Sequence, residues 1–354
     1  MLRSCLFALL LASSSLPAAL AQKAASKAPA SGPGYHLLAP IPLGGEGGWD
    51  YVHVDSKARR LYASHGTEVE VVNLDTRQKV GTIANTPGVH GIEVAAGRGF
   101  VSCGLNNTVL LFDPQTLKKT GSVPTGSRPD ALLYDAFSNR LFVFNNGATT
   151  ATVIDAKTAK VVGTAELGGA PEAGVSDGHG TIFVNLEDKS EIAAVDAKTL
   201  KVKHRWSVAP GEEPSGLGLD EVRHRLYTVC GNKKMVVLDS RTGKRLAELP
   251  IGEGTDGAVF DPSTGLAISS NGEGNLTVVK EAKPGQFRVL QTATTERGAR
   301  TLALDPKTHH LYSLTADYGA TPAPTTGNPH PRPAIVPGTF RVLELAPASA
   351  PSAR

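Results

Sequence analysis

The sequence predicts an all-β fold: a seven-bladed β-propeller of four-stranded antiparallel blades, its ring closed by the N-terminal strand joining the last blade. Three observations carry this. The stretch Gly45 to Gly88 holds four short pieces, WDYVHVD, RLYAS, VEVVNLD and around KVGTIA, in which apolar and polar residues alternate with the period of half-buried strands. The acidic end of the first piece returns at Asp55, Asp135, Asp177, Asp220, Asp261 and Asp305, with Ala95 in the cycle that lacks it. The steps are 40 to 44 residues, the spacing of propeller blades. The second piece returns in register as RLYAS, RGFVS, RLFVF, TIFVN, RLYTV, GLAIS and HLYSL, which makes seven cycles.

In chain order, Met1 to Ala21 reads as a secretory signal: a basic residue at Arg3, an apolar run from Leu6 to Ala12, and Ala19-Leu20-Ala21 as a small-x-small cleavage site. The run is too short to span a membrane, so no transmembrane segment is expected and the protein is placed in the periplasm or secreted. Residues 22–34 are an Ala/Ser/Pro/Gly linker with nothing to bury, and residues 347–354 a tail of the same kind; both are expected to be disordered. The propeller is assigned to residues 35–346. Tyr35 to Gly44 looks like a fourth strand with no first three, while the last cycle stops at its third strand, TFRVLEL. Joining the two closes the ring and removes both open sheet edges.

The third strand and its turn recur as LFDPQT, VIDAKT, AVDAKT and VLDSRT, where Asp and Thr side chains can bond nearby amides. Abundant glycine (38) and proline (24) suit many short strands joined by tight turns. A net charge of +3 gives no basis for nucleic acid as a partner. A monomer is expected.

The repeats, with RLYAS and RLYTV in the place of a YVTN consensus, resemble those of the YVTN-repeat, YncE-like family of exported bacterial seven-bladed propellers, over about Tyr35 to Leu345. The resemblance implies the fold; propellers host many activities, so function is sought where the cycles differ. The sequence departs from the repeat at Ala95 and in a long insertion of the last cycle.

In a propeller with the first strand innermost, the link into that strand and the turn after the second strand emerge on one face, around the channel. Five residues before each first-strand Asp stand Asp50, His90, Asp130, Glu172, Ser215, Asp256 and Arg300, polar and different from blade to blade. At the ends of the second strands stand His65, Asn145, Asn185 with Glu187, and Asn271, beside glycines that permit close backbone approach. Together the two columns are expected to form a polar, acidic funnel. Trp49 would stack on a ligand there or wedge between blades. The proline-rich insertion after Thr315 is expected to act as a lid or wall, with His330 and Arg332 reaching the mouth.

This arrangement points to a module binding a small polar or cationic molecule, or a peptide, at the channel mouth. The alternative is a metal-assisted hydrolase or lyase, lactonase-like, with its site in the same funnel and His65, His90 or His330 as general base. No cofactor is certain from sequence; carboxylates from several blades suit Ca²⁺ or Mg²⁺, and His65 with His90 would admit Zn²⁺. No GxSxG, CxxCH or HExxH motif is present. Cys103 and Cys230, at equivalent positions in cycles two and five, stand nearly opposite each other across the ring and are expected to be unpaired.

Overall fold

Each repeat folds as its alternation dictates. The computed structural model describes residues 34–325 and 331–348, within one compact unit, Ser31–Arg354. The first blade consists of Val52–Asp55, Arg60–His65, Glu68–Asn73 and Gln78–Ile83, each strand antiparallel to the next. Five more four-stranded sheets of the same order follow, the last of them ending at Thr294. The seventh blade is built from Ala303–Leu304, Leu311–Thr315 and Arg341–Pro347. Its outer position is filled from the other end of the chain: Tyr35–Leu37 and Ile41–Pro42 both pair antiparallel with Arg341–Pro347.

The ring is thus closed as expected. Pairing extends slightly beyond the boundaries set from sequence, because Pro347 sits opposite Tyr35 and the Ala348 amide donates to the Gly34 carbonyl. The signal segment and the linker up to residue 33 lie outside the described residues.

The core is a ring of layers between blades. Among the described residues seven apolar clusters occur, each shared by two neighbouring blades. One packs Phe142, Phe144 and Val153 against Ile182, Val184 and Val195; another joins Leu61, Ala63 and Val72 of the first blade to Tyr312, Leu314 and Val342 of the seventh. Second and third strands are buried on both faces, whereas the outermost strands keep a polar face, as in Gln78–Ile83. Cys103 and Cys230 are buried and free, each in a different interblade layer, and burial pushes their thiols up, to about 11 and about 12. They are packed as small apolar groups.

Inner-strand carboxylates at the far end of the blades are scaffold. Asp305 is fully buried and accepts from Ser56, Arg59 and Thr308. Burial alone would raise it, but these bonds bring it down to about 2. The paired histidines His309 and His310 meet Asp261 at 3.0 Å and Glu344 at 2.7 Å.

Candidate functional site

Local backbone geometry aims the first column at the axis. In five blades the ladder between first and second strands breaks its register where the chain enters: between Val89 and Ile92, Pro129 and Leu132, Pro171 and Gly174, Pro214 and Leu217, and Thr255 and Gly257. Such a break frees a residue from pairing and redirects its side chain. His90, Asp130, Glu172, Ser215 and Asp256 lie within these breaks. The next residue is Gly, Ala or Thr in six blades, and the spacing requires it to be small. A Cβ on Gly216 would lie 2.4 Å from the Ala258 nitrogen, and one on Gly91 2.8 Å from the Asp130 carbonyl. Inner strands therefore pack backbone to backbone, and the column residues crowd together.

Five of the seven column residues contact one another, and Glu172 joins them through Tyr51. His90 Nδ1 lies 2.6 Å from Asp50 and 3.6 Å from Asp130. Arg300 reaches Asp256 at 2.8 Å and Asp50 at 3.3 Å, and also donates to the Trp49 carbonyl. Glu172 accepts from Asn146 Nδ2 at 3.0 Å and from the Tyr51 hydroxyl at 3.4 Å. Ser215 stands apart, donating to the Thr255 carbonyl of the next blade. Tyr51 is the large residue at the position that is small elsewhere, and it links the first blade to the fourth.

Four carboxylates, Asp50, Asp130, Glu172 and Asp256, thus face one guanidinium and one imidazole. Burial and the neighbouring carboxylates push Asp130 up to about 7 and Glu172 up to about 9. Asp256 is raised by burial to about 6 even though Arg300 opposes the shift. The bond to Asp50 raises His90 and favours its charged form. Two observations point to unfilled capacity: Asp130 Oδ1 is buried without a hydrogen-bond partner, and Asp50, His90 and Asp130 offer ligand atoms within 4.8 Å of one another.

Over this cluster opens a cavity of about 790 Å³, bordered by Glu187, Glu213, Ser215, Glu253, Asp256, Arg297, Arg300, Tyr318 and Arg332. Glu187 opens a short helical turn after its strand and is raised by burial and by Glu213. Arg332 is exposed at the rim, and Arg297 lies over the Tyr318 ring at 5.2 Å. The insertion therefore does contribute to the mouth; His330 lies outside the described residues. Tyr51, Arg297, Glu213 and Glu253 were missed by sequence reasoning. Their positions in the links that carry Asp50, Arg300, Pro214 and Gly254 were the available signal.

Of the second column only Glu187 reaches the mouth. Asn145, Asn185, Asn271 and His65 are buried, and the three amides are consumed by structure. Asn185 donates to the Ser215 and Gly216 carbonyls of the following blade at 2.8 and 3.1 Å and accepts from Thr228. Asn145 bonds Thr150 and Thr152; Asn271 bonds Asn275 and Thr277. Ser102 and Ser270 likewise reach the Asp130 and Arg300 carbonyls of the next blade. Asn185, Ser102 and Ser270 clip inner strands of neighbouring blades together, because a polar side chain buried beneath a neighbouring backbone must find its partner there, while Asn145 and Asn271 brace the second strand to the third within their own blades. His65 stacks on Phe340 with centroids 3.9 Å apart and is lowered by burial, so it is no general base at the mouth. Nor does it share a metal position with His90, since the two fall in separate clusters. Trp49 takes the wedge role: it packs between Tyr318 and Phe340 and donates to the Gly298 carbonyl at 3.3 Å.

Among the described residues no helix is long and apolar enough to cross a membrane. The chain is 28% identical to proteins named YncE, uncharacterized, from Salmonella typhi and Salmonella typhimurium, over 196 residues, 52% of this chain and 54% of theirs. It is 26% identical over 151 residues, 39% of this chain and 42% of the other, to YncE of Escherichia coli O157:H7. The chain spans about half the length of the curated relatives it matches. Among solved structures, hydrazine synthase of Kuenenia stuttgartiensis superposes with a TM-score of 0.67 at 14% identity, covering 75% of this chain and 92% of that one, a likeness of fold alone. Residues 105–318, more than half of the chain, match the family model described as outer membrane protein assembly factor BamB. This protein is therefore a YncE-like β-propeller and belongs to the family so described.

Proposed function

We propose that the protein is an exported binding module, periplasmic or secreted, whose axial mouth takes a small cationic molecule or the basic side chain of a peptide. The observation that carries this is the convergence of Asp50, Asp130, Glu172 and Asp256 against Arg300 and His90 in one concavity. Crowded carboxylates held out of water gain most from a cation that replaces the missing solvation. Arg300 holds two of them in place, and Tyr51 and Asn146 hold Glu172. The signal-like N-terminus and the assembly-factor family description support the exported setting.

A second reading is favoured by one detail, the Asp50, His90 and Asp130 ligand atoms within 4.8 Å. These residues would hold Ca²⁺, Mg²⁺ or Zn²⁺, and the metal would supply Lewis-acid chemistry for a lactonase-like hydrolase or lyase. Calorimetric titration of the mature protein with spermidine, lysine amide, Ca²⁺, Mg²⁺ and Zn²⁺ separates the two. The binding module predicts saturable binding of an organic cation, weakened at least tenfold in Asp256→Asn and Glu172→Gln. No organic cation binding, or binding indifferent to both substitutions, overturns it. Binding of a divalent ion that is lost in His90→Ala moves the assignment to the metal reading.

A further inference from the structure

We propose that the seam between the first and last blades holds a divalent transition metal of the zinc class, ligated by His65, Glu68 and Glu70. The ligand atoms of these three residues lie within 4.8 Å of one another. The strand register explains why. His65 and Glu68 are direct cross-strand partners at the hairpin between Arg60–His65 and Glu68–Asn73, and Glu70 is two residues further along the same face. That face packs on the seventh blade, so the hairpin lies against the strand that closes the ring.

An independent observation points to a missing ligand. His65 is 1% exposed, and neither Nδ1 nor Nε2 has a hydrogen-bond partner. A buried imidazole with both nitrogens idle is costly, and native proteins rarely leave such groups without a partner. Its ring is fixed by stacking on Phe340, and Gly45 must lack a side chain because a Cβ there would lie 2.7 Å from the ring. The imidazole is held in place without being used.

The carboxylates fit the same reading. Glu70 is 2% exposed, and Lys79 at 2.7 Å and the Thr82 hydroxyl at 2.9 Å both meet its Oε2, orienting the group as outer-shell partners do around metal ligands. Glu68, beside it on the same strand, is half-buried, and its carboxyl meets that of Glu70, a crowding of like groups that a cation between them would relieve. One imidazole and two carboxylates form a zinc-type donor set, whereas Ca²⁺ and Mg²⁺ prefer oxygen alone. A metal here would tie the hairpin of the first blade beneath Phe340, the residue just before Arg341–Pro347, and so strengthen ring closure. The inference is independent of what the axial mouth binds.

The test uses the full mature chain stripped with EDTA and titrated with Zn²⁺ and Co²⁺. Expected are one tight equivalent surviving dialysis, Co²⁺ absorption bands of a nitrogen-containing low-coordinate site, a raised melting temperature, and shifted His65 ring resonances in NMR of the Zn²⁺-loaded wild type. Glu68→Gln should weaken binding at least tenfold while leaving the circular dichroism unchanged; Asp130→Asn, at the mouth, should leave this equivalent intact. Failure of the folded wild type to retain an equivalent overturns the proposal. So does an unshifted His65 ring, or retention that depends on Asp130 and not on Glu68.

Discussion

Two sets of polar residues recur around the ring, and the chain treats them in opposite ways. The residues that lead into the inner strands, such as Asp130 and Glu172, stand in breaks of the ladder and converge at the mouth. The residues that end the second strands, such as Asn145 and Asn185, keep an unbroken ladder to the third strand and are buried, Asn185 beneath the next blade. Chemical type does not separate them, since both are short polar side chains. Backbone pairing does: where the ladder opens, a side chain is released to the axis, and where it continues, the side chain is spent holding neighbours together.

The sharpest way to break this comparison is Asn185→Leu. Three hydrogen bonds vanish and two carbonyls of the next blade lose their partner, so urea unfolding should show a loss of about 3 kcal/mol. A loss near zero would mean that the clip is no clip. Glu172→Gln should move the other way. Its carboxyl is raised to about 9 from 4.5, by burial first and by Asp130 and Asp256 next. Between these values the unfolded chain gives up the proton that the folded chain keeps, so this group's contribution to stability falls as pH rises from about 4.5 toward about 9. The glutamine keeps the shape without the charge. It should therefore be more stable than the parent by about 2 kcal/mol at pH 8 and equal to it near pH 4, in urea unfolding at the two pH values. The smallest effect belongs to Ser215→Ala. Ser215 stands in a ladder break like its counterparts yet makes one bond of 3.2 Å to the Thr255 carbonyl, so its removal should cost no more than about 1 kcal/mol. Binding of an organic cation should survive it.

The repeat, the number of blades and the closing strand were all legible in the sequence, because alternation and period act through every cycle at once: Asp55, Asp135 and Asp305 mark equivalent corners regardless of context. The first column was legible for the same reason, as a fixed offset from those corners. The fate of Asn145, Asn185, Asn271 and His65 was not, since burial at a strand end depends on the blade that lies over it, and no local pattern records that. Tyr51 escaped notice because it acts across the ring, from a position that is small in the other blades.

The pairing of Tyr35–Leu37 with Arg341–Pro347 joins segments some three hundred residues apart along the chain. During synthesis the opening strand has no place to dock until nearly every other residue has been added, and six sheets can assemble before it is needed. The final event in forming this molecule is consequently a slow search by one terminus for the other, and anything that occupies the vacant edge in the meantime, including a second copy of the chain, competes with the correct ending.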